Sequence, residues 1–147
     1  MFRELVRTVR RGGQLVPLLA DRDLTARGVE VDIFGERSRA AVGPAALGLA
    51  TGVPVVPTSI VYERLSGPRR RAAGSRWGIV IHFHAPVSAE GVPKADRVAH
   101  LTQAWVSTLE SAVAEHPEDW HMLQKIFVAD LDPERYAATL AKEAELK

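Results

Sequence analysis

The sequence contains no cysteine. That absence removes disulfide scaffolds, thiolate zinc sites and cysteine nucleophiles together. No stretch comes near the ~18 apolar residues of a membrane-spanning helix. The opening residues, MFRELVRTVRRGG, are charged throughout and lack the apolar core of a secretory signal. The Gly-x-Ser-x-Gly elbow, the P-loop and the Gly-x-Gly-x-x-Gly fingerprint are all missing. Aromatic residues make up only 6%, and the formal net charge is only +1. With 46% hydrophobic residues, so small a net charge argues against a disordered chain. What is present suits one globular domain, or one piece of a larger one, across 147 residues. A chain of this length can bury roughly two-thirds of its unfolded surface.

Near-neutrality hides an asymmetry. Residues 1–76 carry 13 Lys+Arg against 7 Asp+Glu, and residues 77–147 carry 6 against 11. Arginine supplies the positive charge of the first part, with groups at Arg3, Arg7, Arg10, Arg11 and at Arg69, Arg70, Arg71. One end of the molecule is thus suited to the phosphates of lipid headgroups or of a nucleotide. A solvated surface explains arginine clusters taken alone more simply. A nucleic-acid-binding domain fits poorly, because the overall charge is nearly neutral and no recognition motif is present.

Periodicity predicts an α/β arrangement. Phe2, Leu5, Val6 and Val9 form one stripe of a short helix that Gly12-Gly13 ends. Gln14 to Ala20 reads as a buried strand whose C-terminal end meets Asp21-Arg22-Asp23. Val29 to Phe34 alternates and stops at Gly35. Gly43-Pro44 opens a small-residue helix closed by Gly52. Pro54 to Tyr62 reads as a strand, with Pro57 marking an edge or bulge. Leu65 to Arg76 reads as a loop. In the strand from Trp77 to Pro86, Ile79, Ile81 and Phe83 share one face. Val80, His82 and His84 share the other, which reads as the solvent side. Val98, Leu101, Trp105, Leu109 and Ala112 mark the strongest helix, over 96–115, which His116-Pro117 breaks. Pro133 begins a polar terminal helix.

The residues alone give limited chemistry. His82 and His84, two apart on a strand, have the spacing to face one metal ion, but no third ligand accompanies them. His116 and His121 flank a turn with Glu118 and Asp119, where packing or capping is the simpler role. A carboxylate just beyond a buried strand, Asp21, stands where α/β folds place chemistry. It could orient a histidine there, as the third member of a triad-like relay. A turn or cap role is the commoner meaning of such an aspartate.

Three segments taken in order add more: LLADRDLTARGVEVDIFGE, GPAALGLATGVPVVP and EHPEDWHMLQKIFVADL. From about Gly12 to Leu131 the chain resembles the C-terminal half of the bacterial lipid A lauroyl/myristoyl-type lysophospholipid acyltransferases. Within that family it resembles the phosphatidylinositol mannoside acyltransferases. The resemblance implies the C-terminal half of a mixed sheet flanked by helices, one partial domain over residues 1–147. It implies transfer of a fatty acyl group from acyl-CoA, a co-substrate, to a sugar hydroxyl of a glycolipid at the cytoplasmic face of the plasma membrane. No other cofactor and no metal are implied. Asp21 matches the family's relay carboxylate, while Arg22, Gly35 and Glu36 match motif positions expected to shape substrate binding. Trp120, Met122 and Leu123 are expected to pack.

The same resemblance exposes a departure. The family's general base lies in a His-x4-Asp/Glu motif, and no histidine here has an acid five residues later. The expectation is that the base lies outside these residues, that Met1 corresponds to an internal methionine of a longer protein, and that the chain alone is inactive. An exposed apolar edge or face is then expected to draw in the missing half or a second copy. The other reading is a non-catalytic remnant that binds lipid or acyl-CoA through its arginines.

Overall fold

The computed structural model describes residues 2–20, 23 and 28–145. It is a mixed α/β structure with five α-helices and two hairpins. Helix α1 runs Phe2–Arg10 and meets α2, Gly43–Thr51. Gly12 and Gly13, both at positive φ, turn the chain after α1. Pro44 sits in the first turn of α2, where its missing N–H costs nothing. Gly52 ends α2 in the left-handed conformation, donating its N–H to the carbonyl of Gly48.

Strands β1, Val29–Ile33, and β2, Glu36–Ala40, pair antiparallel with Val31 opposite Ser38. Strands β3, Thr58–Arg64, and β4, Trp77–Phe83, pair antiparallel with Ile60 opposite Ile81. The two hairpins form separate two-stranded sheets. Strand β2 is a charged segment, ERSRA, that hydrophobic periodicity does not signal. It forms because β1 offers an edge across a two-residue turn, and it turns Ser38 and Ala40 inward.

Helix α4, Arg97–Glu115, packs along β1 and organises the core. Trp105 and Val106 are buried against Val31 and Ala40, with Ile33 and Leu109 packed around them. The carboxamide of Gln103 ties α4 to β1, accepting from Asp32 N–H at 2.8 Å and donating to the Asp32 carbonyl at 2.9 Å. Two 3₁₀ turns follow, Pro117–Asp119 and Val128–Asp130, and then α5, Pro133–Glu145.

Three sequence expectations are corrected. Residues 14–20 form no strand: they carry no regular secondary structure, with Leu15 73% and Leu19 99% exposed. An apolar run becomes a buried strand only where neighbouring strands accept its hydrogen bonds, and none of the four described strands does so. Residues inside 65–76 form a helix, α3, Gly67–Ala73, opened by Pro68 and closed by Gly74 in the left-handed region. On β4 the solvent side is the apolar row. Ile79, Ile81 and Phe83 are exposed, whereas Val80 is half-buried.

Candidate active-site segments and an arginine hollow

Asp21 and Arg22, assigned to catalysis and substrate binding from the sequence, lie outside the described residues. Their neighbour Asp23 has a buried side chain. Its side chain is 3% exposed and stands 3.5 Å from Nε of Arg39, itself 9% exposed. Asp23 Oδ2 also accepts the backbone N–H of Gly28 at 2.7 Å, and Arg39 donates to the Gly28 carbonyl at 2.6 Å. Gly28 is required by this closeness. A Cβ there would stand 2.7 Å from the Asp23 carboxylate and nearer still to the Ala40 carbonyl. The end of the Ala-Asp-Arg-Asp block is therefore clamped to the start of β1 and the end of β2. Arg39 is the residue that sequence reasoning missed. Its place in a charged strand disguised it as surface.

Gly35 and Glu36 occupy the opposite end of the same hairpin. Phe34 and Gly35, at φ 58° and 76°, form the two-residue turn, and Glu36 begins β2 opposite Ile33. Positive φ at both central positions is the geometry that matches strand twist. It suits glycine and strains phenylalanine by about 1–2 kcal/mol. Two contacts hold the turn. Asp32 Oδ1 accepts from Gly35 N–H at 3.1 Å, and the Phe34 ring lies 5.9 Å from that of Trp120. The five residues of β1 separate this turn from Asp23 by roughly 16 Å. The structure thus keeps Gly35 and Glu36 together and sets them apart from the Asp23 clamp.

A cavity of about 190 Å³ lies between the hairpins over α4. Val31, Val61, Trp105, Leu109 and Val113 make it largely apolar, and Arg39 and Ser59 add polar atoms. The indole N–H of Trp105 is buried there with no hydrogen-bond partner among the described residues. An apolar group fits this lining. At its margin, Ser59 Oγ and His84 Nε2 are 2.9 Å apart. His82 is exposed, with its ring centroid 6.5 Å from that of His84.

The His-Pro-Glu-Asp-Trp block does structural work. Asp119 Oδ2 accepts the N–H of Tyr62 at 2.8 Å, satisfying a donor on β3. His116 Nδ1 lies 3.8 Å from Glu118. These three side chains converge closely enough to hold a cation. The bond to Tyr62 and the half-burial of His116 and Asp119 suit a packing role better. Trp120 and Met122 are half-buried as expected, but Leu123 is 96% exposed, so its expected packing is corrected.

The two arginine groups singled out in the first part lie on different elements. On α1, Arg10 donates to the Ala50 carbonyl at 2.9 Å. At the tip of the second hairpin, Gly67, Arg70, Arg71, Gly74, Ser75 and Arg76 line a hollow of about 660 Å³. Arg69 points elsewhere, to Glu63, through two hydrogen bonds of 2.8 and 2.5 Å. That pairing holds the Glu63 carboxyl below its ordinary range and raises Arg69.

The chain belongs to the bacterial lipid A biosynthesis acyltransferase family, whose model matches residues 1–128. Among curated relatives, the phosphatidylinositol mannoside acyltransferases of two strains of Mycobacterium tuberculosis are 40% identical over 127 residues. That stretch is 86% of this chain and 35% of each relative. The phosphatidylinositol mannoside acyltransferase of Mycolicibacterium smegmatis is 37% identical over 120 residues, 82% of this chain and 34% of the relative. The chain spans about a third of the length of the curated relatives it matches.

Proposed function

We propose that these residues serve an acyltransferase that moves a fatty acyl group from acyl-CoA to a sugar hydroxyl of a phosphatidylinositol mannoside-type glycolipid. The observation that carries this reading is the 40% identity, over 86% of the chain, to relatives named phosphatidylinositol mannoside acyltransferase. In the proposed step the sugar oxygen attacks the thioester carbon and the C–S bond breaks. A histidine takes the hydroxyl proton and returns it to the departing thiolate. Asp21 holds that histidine in its working tautomer, and the tetrahedral oxyanion needs donors close by. Arg22, Gly35 and Glu36 shape the substrate side. The base belongs to a His-x4-acid segment that these residues lack, so the chain by itself turns nothing over.

Membrane contact is peripheral in this proposal, at the cytoplasmic face. No described helix is long and apolar enough to cross a bilayer.

The test is a chimera in which residues 1–128 replace the matching segment of the Mycobacterium tuberculosis relative. Transfer of labelled acyl groups from acyl-CoA to phosphatidylinositol mannoside should persist. Asp21→Asn should then lower it by about 10³- to 10⁴-fold with folding intact. A folded chimera that transfers nothing overturns the reading, as does one indifferent to Asp21→Asn.

A further inference from the structure

The acyltransferase reading needs phosphate-bearing substrates but assigns no residues to their phosphates. We propose that the hollow at the tip of the β3–β4 hairpin is a phosphate-binding site formed by Arg70, Arg71 and Arg76. Three features carry this. First, the six residues lining the hollow include three arginines and no carboxylate. Three positively charged residues thus line one concavity with no acid among them, and the planar fork of a guanidinium matches phosphate oxygens.

Second, the nearby acid is already engaged. Glu63 is clasped by Arg69, which stands outside the lining, so it does not neutralise the other three. The sequence shows three equivalent adjacent arginines; the structure divides them into one paired arginine and two that join Arg76. Third, the framework is ordered rather than a floppy loop. Helix α3 is closed by Gly74, whose N–H donates to the Arg70 carbonyl at 3.1 Å, and Leu65 N–H donates to the Arg76 carbonyl at 2.8 Å. Arg64 stacks over the Trp77 ring, 5.3 Å from its centroid, where the hairpin opens to the tip.

The shared ligand chemistry is a phosphate ester, carried either by the nucleotide of coenzyme A or by an anionic lipid headgroup. The choice between these sources rests on the acyltransferase reading, whereas the anion site itself does not. Pyrophosphate alone therefore tests the site separately from that reading.

Titration of the full chain with pyrophosphate should show saturable binding that weakens as salt rises. Arg70→Gln, Arg71→Gln and Arg76→Gln together should weaken it at least tenfold. Arg69→Gln should change it less than twofold. Glu63→Gln, which releases Arg69, should tighten it. A diffuse basic surface predicts equal losses for Arg69→Gln and Arg70→Gln, and that result overturns the proposal. So does a folded chain, checked by circular dichroism, that binds no pyrophosphate.

Further arms identify the source. Tighter binding of coenzyme A than of its dephospho form, lost in the triple variant, assigns the nucleotide. Flotation with phosphatidylinositol vesicles but not with phosphatidylcholine vesicles, lost in the same variant, assigns the headgroup. Either result supports the phosphate site. Pyrophosphate binding that the triple substitution leaves intact places the anion elsewhere and overturns it.

Discussion

Both hairpins pair antiparallel, yet their faces meet solvent in opposite ways. In β1–β2, the aliphatic row of Val29, Val31 and Ile33 packs toward α4, and Glu30 and Asp32 look outward. Later parts of the chain hold this hairpin as well. Ser38 donates to the Ile126 carbonyl at 2.8 Å, and the Tyr136 hydroxyl of α5 donates to Glu30. In β3–β4, Val61 is buried, but the row carrying Ile60, Tyr62, Trp77, Ile79, Ile81 and Phe83 is 51–60% exposed. Alternation states that a strand has two unlike faces; it does not state which face finds a neighbour. The first hairpin completes its core within these residues. The second presents an apolar face of the kind soluble domains cover.

The largest effect should come from the covered hairpin's core. Trp105→Ala should cost about 3–5 kcal/mol in denaturant unfolding, because the indole fills the space between Val31, Ala40 and Val106. Asp23→Ala should follow at roughly 3 kcal/mol, since it strips a buried guanidinium of its carboxylate. A double change, Asp23→Leu with Arg39→Met, should recover much of that loss. If the single change is silent, the clamp does not hold the hairpin.

Smaller still is Gly35→Ala, expected to cost about 1–2 kcal/mol through positive φ at the turn. In the chimera, the same change separates a turn role from a substrate role. A turn role lowers stability with little change in KM, and a substrate role raises KM.

Tyr136 gives the comparison a pH dependence. Burial, then its bond to Glu30, raises the phenol above its ordinary 10.0. Below pH 10 both folded and unfolded chains hold the proton, and its contribution is constant. Above it the unfolded chain ionises first, so stability should fall as pH rises until the folded phenol ionises too. Tyr136→Phe should remove that slope in denaturation midpoints measured from pH 9 to 11.

The least change in stability is expected on the open face. Ile79→Asn with Ile81→Asn should move the unfolding free energy by no more than about 0.5 kcal/mol. It should nevertheless reduce self-association seen by light scattering. A wild-type chain that stays monodisperse and monomeric would break the comparison, because its apolar face would then need no cover.

Much of the fold was legible where local rules suffice. The stripe of Leu101, Trp105 and Leu109 announced α4, and the Gly43-Pro44 and Gly52 signals bracketed α2. The family was legible from motif order, and the match to residues 1–128 bears it out. Strand β2 was not legible, because five largely polar residues become a strand only when β1 supplies the edge. Nor was the unpaired state of residues 14–20, since the apolar run that reads as a buried strand lacks a partner to pair with. Gly35 was legible as the stop after the first strand, but its pairing with Phe34 in a strained two-residue turn was not.

The sequence by itself determined the α/β class, the positions of the main helix and of strands β1, β3 and β4, and membership of the acyltransferase family. These depend on periodicity, capping residues and motif order, all written within short windows of chain. Only the tertiary structure decided that Arg39 grips Asp23, that Arg69 is spent on Glu63 while Arg70, Arg71 and Arg76 face one hollow, and which side of each hairpin is buried. Those outcomes depend on which groups approach across turns and between elements. Charge pairing and burial act through space, and no local pattern encodes that distance.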